Sequence, residues 1–350
     1  MTKVGKEFFQ DNEWDDFLKR SPMGQFQQSA MWARYKETEG WRSERVVFKN
    51  GNRITGGLQA LIRKTYFGAI GYVSKGPVVL NEDEPSVETA VKSIFEIMNL
   101  NQMEAIVVQP PDDSSVIPEV LMKHEFVKIP MLKVIDSTLL LPVKGGEVSI
   151  NKSMNRRTRE KIKKGVREGV TVREGCFCDI PIFFMMMADT CRRQGIKNIN
   201  PSSVKALQNI WYSFNPRRNI RLTFAEINGE SVAGLLCILF GDTVTLWKKG
   251  WTGRYSGYHP NDVLYKEAFI WAFENGYSHC DFAGINRNIA EWLICGNRLT
   301  DKQNSSRDAF IMRFGGTPKL LPSAVIYIKN LPLRHIFRSL NKIRETLSFQ

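Results

Sequence analysis

Eight lysines and arginines fall between positions 152 and 167 of this 350-residue chain, against a single acid, Glu160. Like charges at i,i+4 repel, so a helix this basic is relieved by an anionic partner, and a phosphate backbone would serve. Arg156, Arg157, Arg159, Lys163 and Lys164 are its candidate phosphate or RNA contacts, although a solvated charged face is the plain alternative. A second concentration is Trp247–Lys248–Lys249–Gly250–Trp251, a lysine pair between indoles that could meet a phosphate or a developing oxyanion. Asp281, within Cys280–Asp281–Phe282–Ala283–Gly284, is a carboxylate at a strand end before a glycine turn, where it either orients a catalytic group or caps the turn. Covalent catalysis has no support: there is no G-x-S-x-G elbow, and His124, His259, His279 and His335 stand without an acid–base partner at an interpretable spacing. The six cysteines all lie after position 150, with no CxxC pair and no histidine spaced to complete a zinc site, so no metal is expected. Cys176–Phe177–Cys178 alternates as strand side chains do and reads as buried thiols, and reduced cysteines suit a cytoplasmic protein.

Mixed strands and helices must position these groups. An amphipathic helix over Asp11–Leu18 and another over Gln27–Lys36 precede strands Arg42–Lys49 and Arg53–Leu61, turned at Asn50–Gly51–Asn52, residues that tolerate positive φ. Helices at Ser86–Met98 and Ser115–His124 alternate with strands at Ala105–Val108, Phe126–Leu132 and Ser137–Leu141. The basic helix follows the loop Val143–Gly146, with Met154, Thr158, Ile162 and Val166 as its thin apolar stripe. Beyond it come helices Ile180–Arg192 and Ser202–Ser213, strands Arg221–Ile227, Val232–Phe240 and Thr243–Gly250, a helix opened by Pro260, and a strand at His279–Phe282. Two units of similar order imply a duplicated mixed α/β (α+β) fold, with domains over 1–147 and 148–318 and a basic amphipathic segment over 319–350.

The charge is divided unevenly. Positions 1–150 hold 18 Lys/Arg against 20 Asp/Glu, and positions 151–350 hold 31 against 16, so the net +13 belongs to the second part. That asymmetry points to a polyanionic partner there. The N-terminus lacks an apolar core followed by a small-residue cleavage site, and no run of about twenty apolar residues occurs. The expected location is the cytoplasm or the inner face of the membrane. In the last segment Leu333, Ile336, Phe337, Leu340, Ile343 and Leu347 form a stripe beside Arg334, Arg338, Lys342 and Arg344. Two readings stay open: a helix lying in a membrane interface, or one packing back on the fold with its charges in water.

Arg192–Arg193–Gln194–Gly195–Ile196–Lys197 nearly matches the R-x-x-G-x-G/A loop with which GNAT acetyltransferases cradle coenzyme A, but a helix rather than a strand precedes it, which marks a decoy. Four other segments, in order, resemble the FemABX family, the aminoacyltransferases that build peptidoglycan cross-bridges. Gln28–Ser29–Ala30–Met31–Trp32–Ala33–Arg34–Tyr35–Lys36 with Gly40–Trp41 is similar to Q-S-x-x-W-A-x-x-K…W, and Tyr72–Val73–Ser74–Lys75–Gly76–Pro77–Val78 to Y-x-x-[KR]-G-P-V. The basic run Asn155–Val172 is similar to R-x-x-I-x-K-x-x-x-x-G-V-x-V, and Asp281–Phe282–Ala283–Gly284 to D-[FL]-x-G. The resemblance implies two tandem GNAT-like domains with a cleft between them, an aminoacyl-tRNA donor and a nucleotide- or lipid-linked muropeptide acceptor, with no cofactor. Lys36 matches the family lysine that contacts acceptor phosphate, and Arg221 falls near an arginine with a similar task. Ser74 and Lys75 belong to the substrate loop, while Trp32, Trp251 and Tyr258 would shape the pocket and Arg313 or Lys249 would face the oxyanion. The chain departs from the family at Gln109–Pro110–Pro111, at the lysines before Trp251, and at Met312–Arg313, and it has no stretch for a coiled-coil arm. Acyl-CoA or acyl carrier protein is the alternative donor, N-acylating an amino sugar or amino acid for envelope polysaccharide. A noncatalytic RNA-binding module is the reading from another class.

Overall fold

The computed structural model describes residues 8–66, 68–129, 134–297 and 307–348, without the side chains of 8–10 and 340–348. It divides into two compact units, Met1–Asp136 with Leu321–Gln350, and Ser137–Leu320.

The first unit opens with α1 (Phe8–Arg20) and α2 (Ala30–Thr38), the latter capped by Ser29, whose hydroxyl accepts from the Trp32 N–H at 3.1 Å. Strands β1 (Arg42–Asn50) and β2 (Arg53–Thr65) form the expected hairpin, with Gly51 at φ +57° supplying the left-handed turn residue. β3 (Gly68–Ser74) and the short β4 (Val78–Val79) follow, then α3 (Glu84–Leu100), β5 (Met103–Gln109), α4 (Val116–Lys123) and β6 (Val127–Lys128). β3 and β5 run parallel, as they must when a helix such as α3 carries the chain back across the sheet. Leu58, Ala60 and Ile62 of β2, Ile94 and Ile97 of α3, and Ile106 and Val108 of β5 fill the core. Of the strand expected over Phe126–Leu132, only Val127–Lys128 pairs, and residues 130–133 lie outside the described set.

The second unit runs β7 (Ser137–Pro142), α5 (Gly146–Ser153), the basic helix α6 (Arg156–Arg167), β8 (Thr171–Glu174), α7 (Ile180–Arg193), α8 (Val204–Phe214), β9 (Ile220–Ile227) and β10 (Glu230–Phe240). Then come β11 (Thr243–Trp251), α9 (Pro260–Glu274), β12 (His279–Asp281), α10 (Arg287–Ile294), α11 (Arg307–Met312) and β13 (Thr317–Leu320). Its sheet order is β13-β7-β12-β11-β10-β9-β8, and again one parallel pair, β11 and β12, is joined by a crossover helix, α9. This shared strand–helix–strand crossover is the internal duplication in structural form. The chain then returns to the first unit as β14 (Val325–Ile328), which inserts between β5 and β6, and α12 (Leu331–Ser348).

Three expectations need correction. The division falls at 136/137 rather than 147/148, because Leu139 and Leu141 of β7 bury in the second core, and residues after 320 are not a separate segment, because Val325 buries in the first. On α6 the inward residues are Thr158, Ile162 and Gly165, while Val166 is 58% exposed, as a period of 3.6 rather than 4.0 requires. Cys176 and Cys178 are exposed and joined to each other, because β8 ends at Glu174 and Cys176 opens a 3-10 turn instead of continuing a strand. Cys237 and Cys280 are the buried thiols, with Cys237 pushed up to about 12 by burial.

Candidate active site

In the second unit, strand alternation alone would send Lys249 to the opposite face from Val244 and Leu246. A bulge prevents this: Leu236 pairs with Lys248 and Ile238 with Thr245, so β11 carries one extra residue opposite Cys237. Lys249 therefore lies across from Leu235 and Trp251 across from Ala233, on the core face that α9 covers. There a cavity of about 470 Å³ is lined in part by Lys249, Trp251, His259, Asp262, Arg307 and Phe310.

Two cations share the ring of Phe310, which lines this cavity. The Phe310 centroid lies 4.8 Å from Lys249 Nζ and 4.2 Å from the Arg313 guanidinium carbon. Arg313 is ion-paired with the buried Asp262 on the first turn of α9, and its Nε has no hydrogen-bond partner. Burial, with Arg307 and Arg313 nearby, pushes the Lys249 ammonium down to about 8, and burial with Arg307 does the same for Lys248. Burial also holds the Asp262 carboxyl above the usual range despite Arg313 beside it. The helix adds to this field: α9 begins after His259, which has φ +54° and gives no side-chain cap; Asp262 N–H and Val263 N–H donate to the His259 carbonyl at 3.0 and 3.3 Å, and the positive dipole end lies at the cavity, which Pro260 and Asn261 help to line. Its counterpart α3 in the first unit begins at Asp83, whose carboxylate accepts from Ser86 N–H at 2.8 Å and fills that position.

Basic helix α6 joins the same region. Asn155 caps it, accepting from Thr158 N–H at 2.8 Å, and the Asn155 N–H donates to the Arg313 carbonyl at 3.1 Å. A Cβ on Gly165 would lie 2.6 Å from the Tyr258 carbonyl oxygen, so glycine there lets α6 seat against the turn before α9. Burial lowers the His259 pKa, and Lys161 and Lys164 of α6, together with Arg313, push the same way. Of the basic residues singled out from the sequence, Arg157, Lys163 and Lys164 are exposed. Arg156 is paired with Glu160 at 2.8 Å, and Arg159 is spent on the carbonyls of Asn151, at 3.1 Å, and Met154.

Comparison with known proteins shows what the chain is similar to. The FemAB family profile matches residues 9–118, and the profile of the acetyltransferase (GNAT) domain matches residues 152–291. Curated relatives named lipid II:glycine glycyltransferase are 24% identical over 236 residues in Staphylococcus saprophyticus and 25% over 199 residues in Staphylococcus aureus. These alignments take in 63% and 53% of this chain and 56% and 47% of the relatives, so the chain spans about half their length. The chain is similar to the FemAB family over residues 9–118. The fold agrees: a crystal structure of FemX superposes with a TM-score of 0.81 at 18% identity, over 96% of this chain and 99% of that one. L-PGS from Bacillus licheniformis shares the fold more loosely, with a TM-score of 0.56 at 14% identity over 96% and 98% of the two chains.

Several of the signature residues are scaffold. The buried Gln28 side chain donates to the Ser74 carbonyl at 2.7 Å and accepts from Gln59 N–H at 2.7 Å, tying α2's entry to β2 and β3. A Cβ on Gly76 would sit 2.7 Å from that amide, which explains the glycine. Ser74 and Lys75 are both buried, and Lys75 is ion-paired with Asp112, so neither is free for substrate as expected. Arg221 does not clamp a phosphate: it is buried, forms a two-pronged pair with Glu267 at 2.9 and 3.2 Å, and stacks 4.3 Å from the Trp271 ring. Asp281 is a turn cap, accepting from the Thr138 hydroxyl and from Ala283 N–H at 2.8 Å, with Ala283 at φ +57°. Of the segment Arg192–Lys197, Arg192 and Arg193 end α7 and Gln194 follows as its C-cap, and Arg193 and Gln194 line the cavity.

Lys36, by contrast, is half-buried among rings, with Nζ 5.8 Å from Trp32, 5.7 Å from Tyr35 and 5.7 Å from Trp41. Arg63 covers Trp41 at 5.6 Å. Burial lowers the Lys36 pKa and Arg63 adds to this, while Glu39 opposes. Two cations beside one acid suit an anion. Sequence reasoning missed Lys161, His259, Asp262, Arg307 and Phe310; the signal available was the His259–Pro260–Asn261–Asp262 helix opening. Among the described residues the one group with metal-ligand spacing is Cys176, Cys178 and Asp179, but the two sulfurs are bonded together and Arg173 holds the carboxylate at 2.8 and 3.0 Å.

Proposed function

We propose that this chain transfers an aminoacyl group from aminoacyl-tRNA to an amine of a lipid-linked peptidoglycan precursor. The acceptor amine attacks the ester carbonyl, and negative charge gathers on the carbonyl oxygen. Collapse breaks the ester C–O bond, and the departing ribose oxygen takes up the proton the amine gives up. An ester is already activated, so positioning and charge stabilisation suffice without a nucleophilic side chain. Lys249 and Arg313 face the oxyanion, Asp262 fixes Arg313, Trp251 and Tyr258 shape the wall, and Lys36 takes acceptor phosphate. Lys161, Lys163, Lys164 and Arg157 take the tRNA backbone.

The observation that carries this reading is the placement of two desolvated cations on one ring beside the start of α9. The acceptor is supported by the relatives' name, lipid II:glycine glycyltransferase. The GNAT match over 152–291 supports a second reading, in which acyl-CoA or acyl carrier protein is the donor and its phosphates take the place of the tRNA backbone. A donor panel separates the two. Label moving from charged tRNA to the lipid-linked precursor, abolished by ribonuclease, is the expected result; turnover of acetyl-CoA after nuclease treatment, with none from tRNA, would favour the second. RNA affinity without transfer from any donor would leave an RNA-binding module.

A further inference from the structure

Helix α12 is attached to the first unit by the wrong face for an ordinary terminal helix. Arg334 is 3% exposed: its Nε donates to the Ile328 carbonyl at 2.8 Å, its guanidinium lies 4.2 Å from the Tyr327 ring, and it is ion-paired with Glu125. Arg338, one turn on, reaches the same Glu125 at 4.0 Å. Leu333 and Ile336 point elsewhere, while Leu331 opens the helix on the arginine side. Leu331, Leu333 and Ile336 are 55%, 44% and 55% exposed. At about 100° per residue, Leu333 and Ile336 lie on average roughly 150° around the axis from Arg334 and Arg338. In sequence the stripe continues through Leu340, Ile343 and Leu347, whose side chains lie outside the described residues. A helix that buries its arginines and exposes its leucines is packed inside out relative to a core helix.

We propose that this outward stripe of α12 docks the protein on the surface of an anionic phospholipid bilayer, lying in the interface rather than crossing it. Charge selects that occupant. Residues 319–350 carry six Lys/Arg and one acid, Glu345. Two of the six are turned onto Glu125, Lys319 belongs to β13 of the second unit, and Lys329, Lys342 and Arg344 share the stretch of sequence that carries the apolar stripe. Apolar residues flanked by lysine and arginine match a headgroup layer that is negative outside and apolar beneath. No described helix is long and apolar enough to cross a membrane, which leaves contact at the interface for α12. The surface is independent of the chemistry assigned to the second unit, and its test uses no activity readout.

The test is co-sedimentation of the full chain with vesicles of phosphatidylcholine alone and of phosphatidylcholine mixed equally with phosphatidylglycerol. Leu333→Glu with Ile336→Glu is the variant, and circular dichroism and light scattering run alongside. Both residues are exposed, so the variant keeps the fold. Binding to the anionic vesicles, weakened by salt and lowered at least about tenfold in the double variant, is expected. Absence of binding, equal binding to both vesicle types, or binding that the variant leaves unchanged would overturn the proposal. So would a wild-type dimer, lost in the variant, that does not sediment with vesicles, since the stripe would then be covered by a second copy.

Discussion

Replacing Arg313 with glutamine should raise the titration midpoint of Lys249 from about 8 by about one pH unit. Burial is the main reason the midpoint is low, and the positive charges of Arg307 and Arg313 add to it. Because the Phe310 centroid is 4.8 Å from one charge and 4.2 Å from the other, the two charges lie no more than 9.0 Å apart. At an effective dielectric constant of about 20, unit charges at that distance repel by about 1.8 kcal/mol, and about 1.4 kcal/mol corresponds to one pH unit. Solvent on the open side of the cavity screens part of this. Losing Arg313 also frees the Asp262 carboxylate, which pulls the midpoint in the same direction until it takes up a proton. The assay is an NMR titration of ¹³C-lysine-labelled protein, with Lys249→Met identifying the resonance. A midpoint that stays put or falls would refute the shared-ring arrangement. The stability consequence has a definite sign. An unfolded lysine holds its proton to about 10.5, so between about 8 and 10.5 the unfolded state binds more protons and folding stability rises with pH. Arg313→Gln should narrow that window from its lower end.

Lys249→Met should lower kcat by about 10²- to 10³-fold in the transfer assay with little change in acceptor KM, the usual cost of one oxyanion-stabilising group. The wild-type rate should fall as pH rises through about 8, where Lys249 loses its proton, and a rate still rising past that point would remove Lys249 from the role. Charge reversal of Lys161 and Lys164 together should weaken tRNA binding and flatten its dependence on log salt by roughly 1.5 to 2 in slope, read by filter binding. Arg221→Met should cost about 2–4 kcal/mol in urea denaturation by orphaning Glu267, with specific activity per folded molecule unchanged; a selective rise in KM would restore Arg221 as a substrate clamp.

Most of the regular elements were legible because their signals are local. The Asn50–Gly51–Asn52 turn, the Pro260 helix start and the unbroken apolar run Val232–Phe240 each act over a few residues. β14 was not legible, since it pairs with β5 across more than two hundred positions and nothing in Val325–Ile328 names its partner. The site was half legible. Lys249, Arg313, Trp251 and Lys36 were singled out by type and resemblance, but the β11 bulge that turns Lys249 toward Phe310 breaks the alternation a sequence reading relies on. Arg221 misled because a buried arginine paired with a glutamate 46 positions away looks, in sequence, like a free one. Ser74 and Lys75 misled for a related reason: residues in a signature can be there to hold the scaffold in place. Of the C-terminal stripe, Leu333 and Ile336 are exposed, and the helix is anchored through Arg334 to Glu125, a partner no helical periodicity reveals.

The most direct test is where the 3′ end of a charged tRNA binds. A minihelix carrying an amide-linked aminoacyl group and a photoreactive terminal base should cross-link to peptides from residues 249–262 or 307–313, and the yield should collapse in Arg313→Gln. Cross-links confined to the first unit, or undiminished in that variant, would contradict the assignment of the donor to the Lys249–Arg313 cavity.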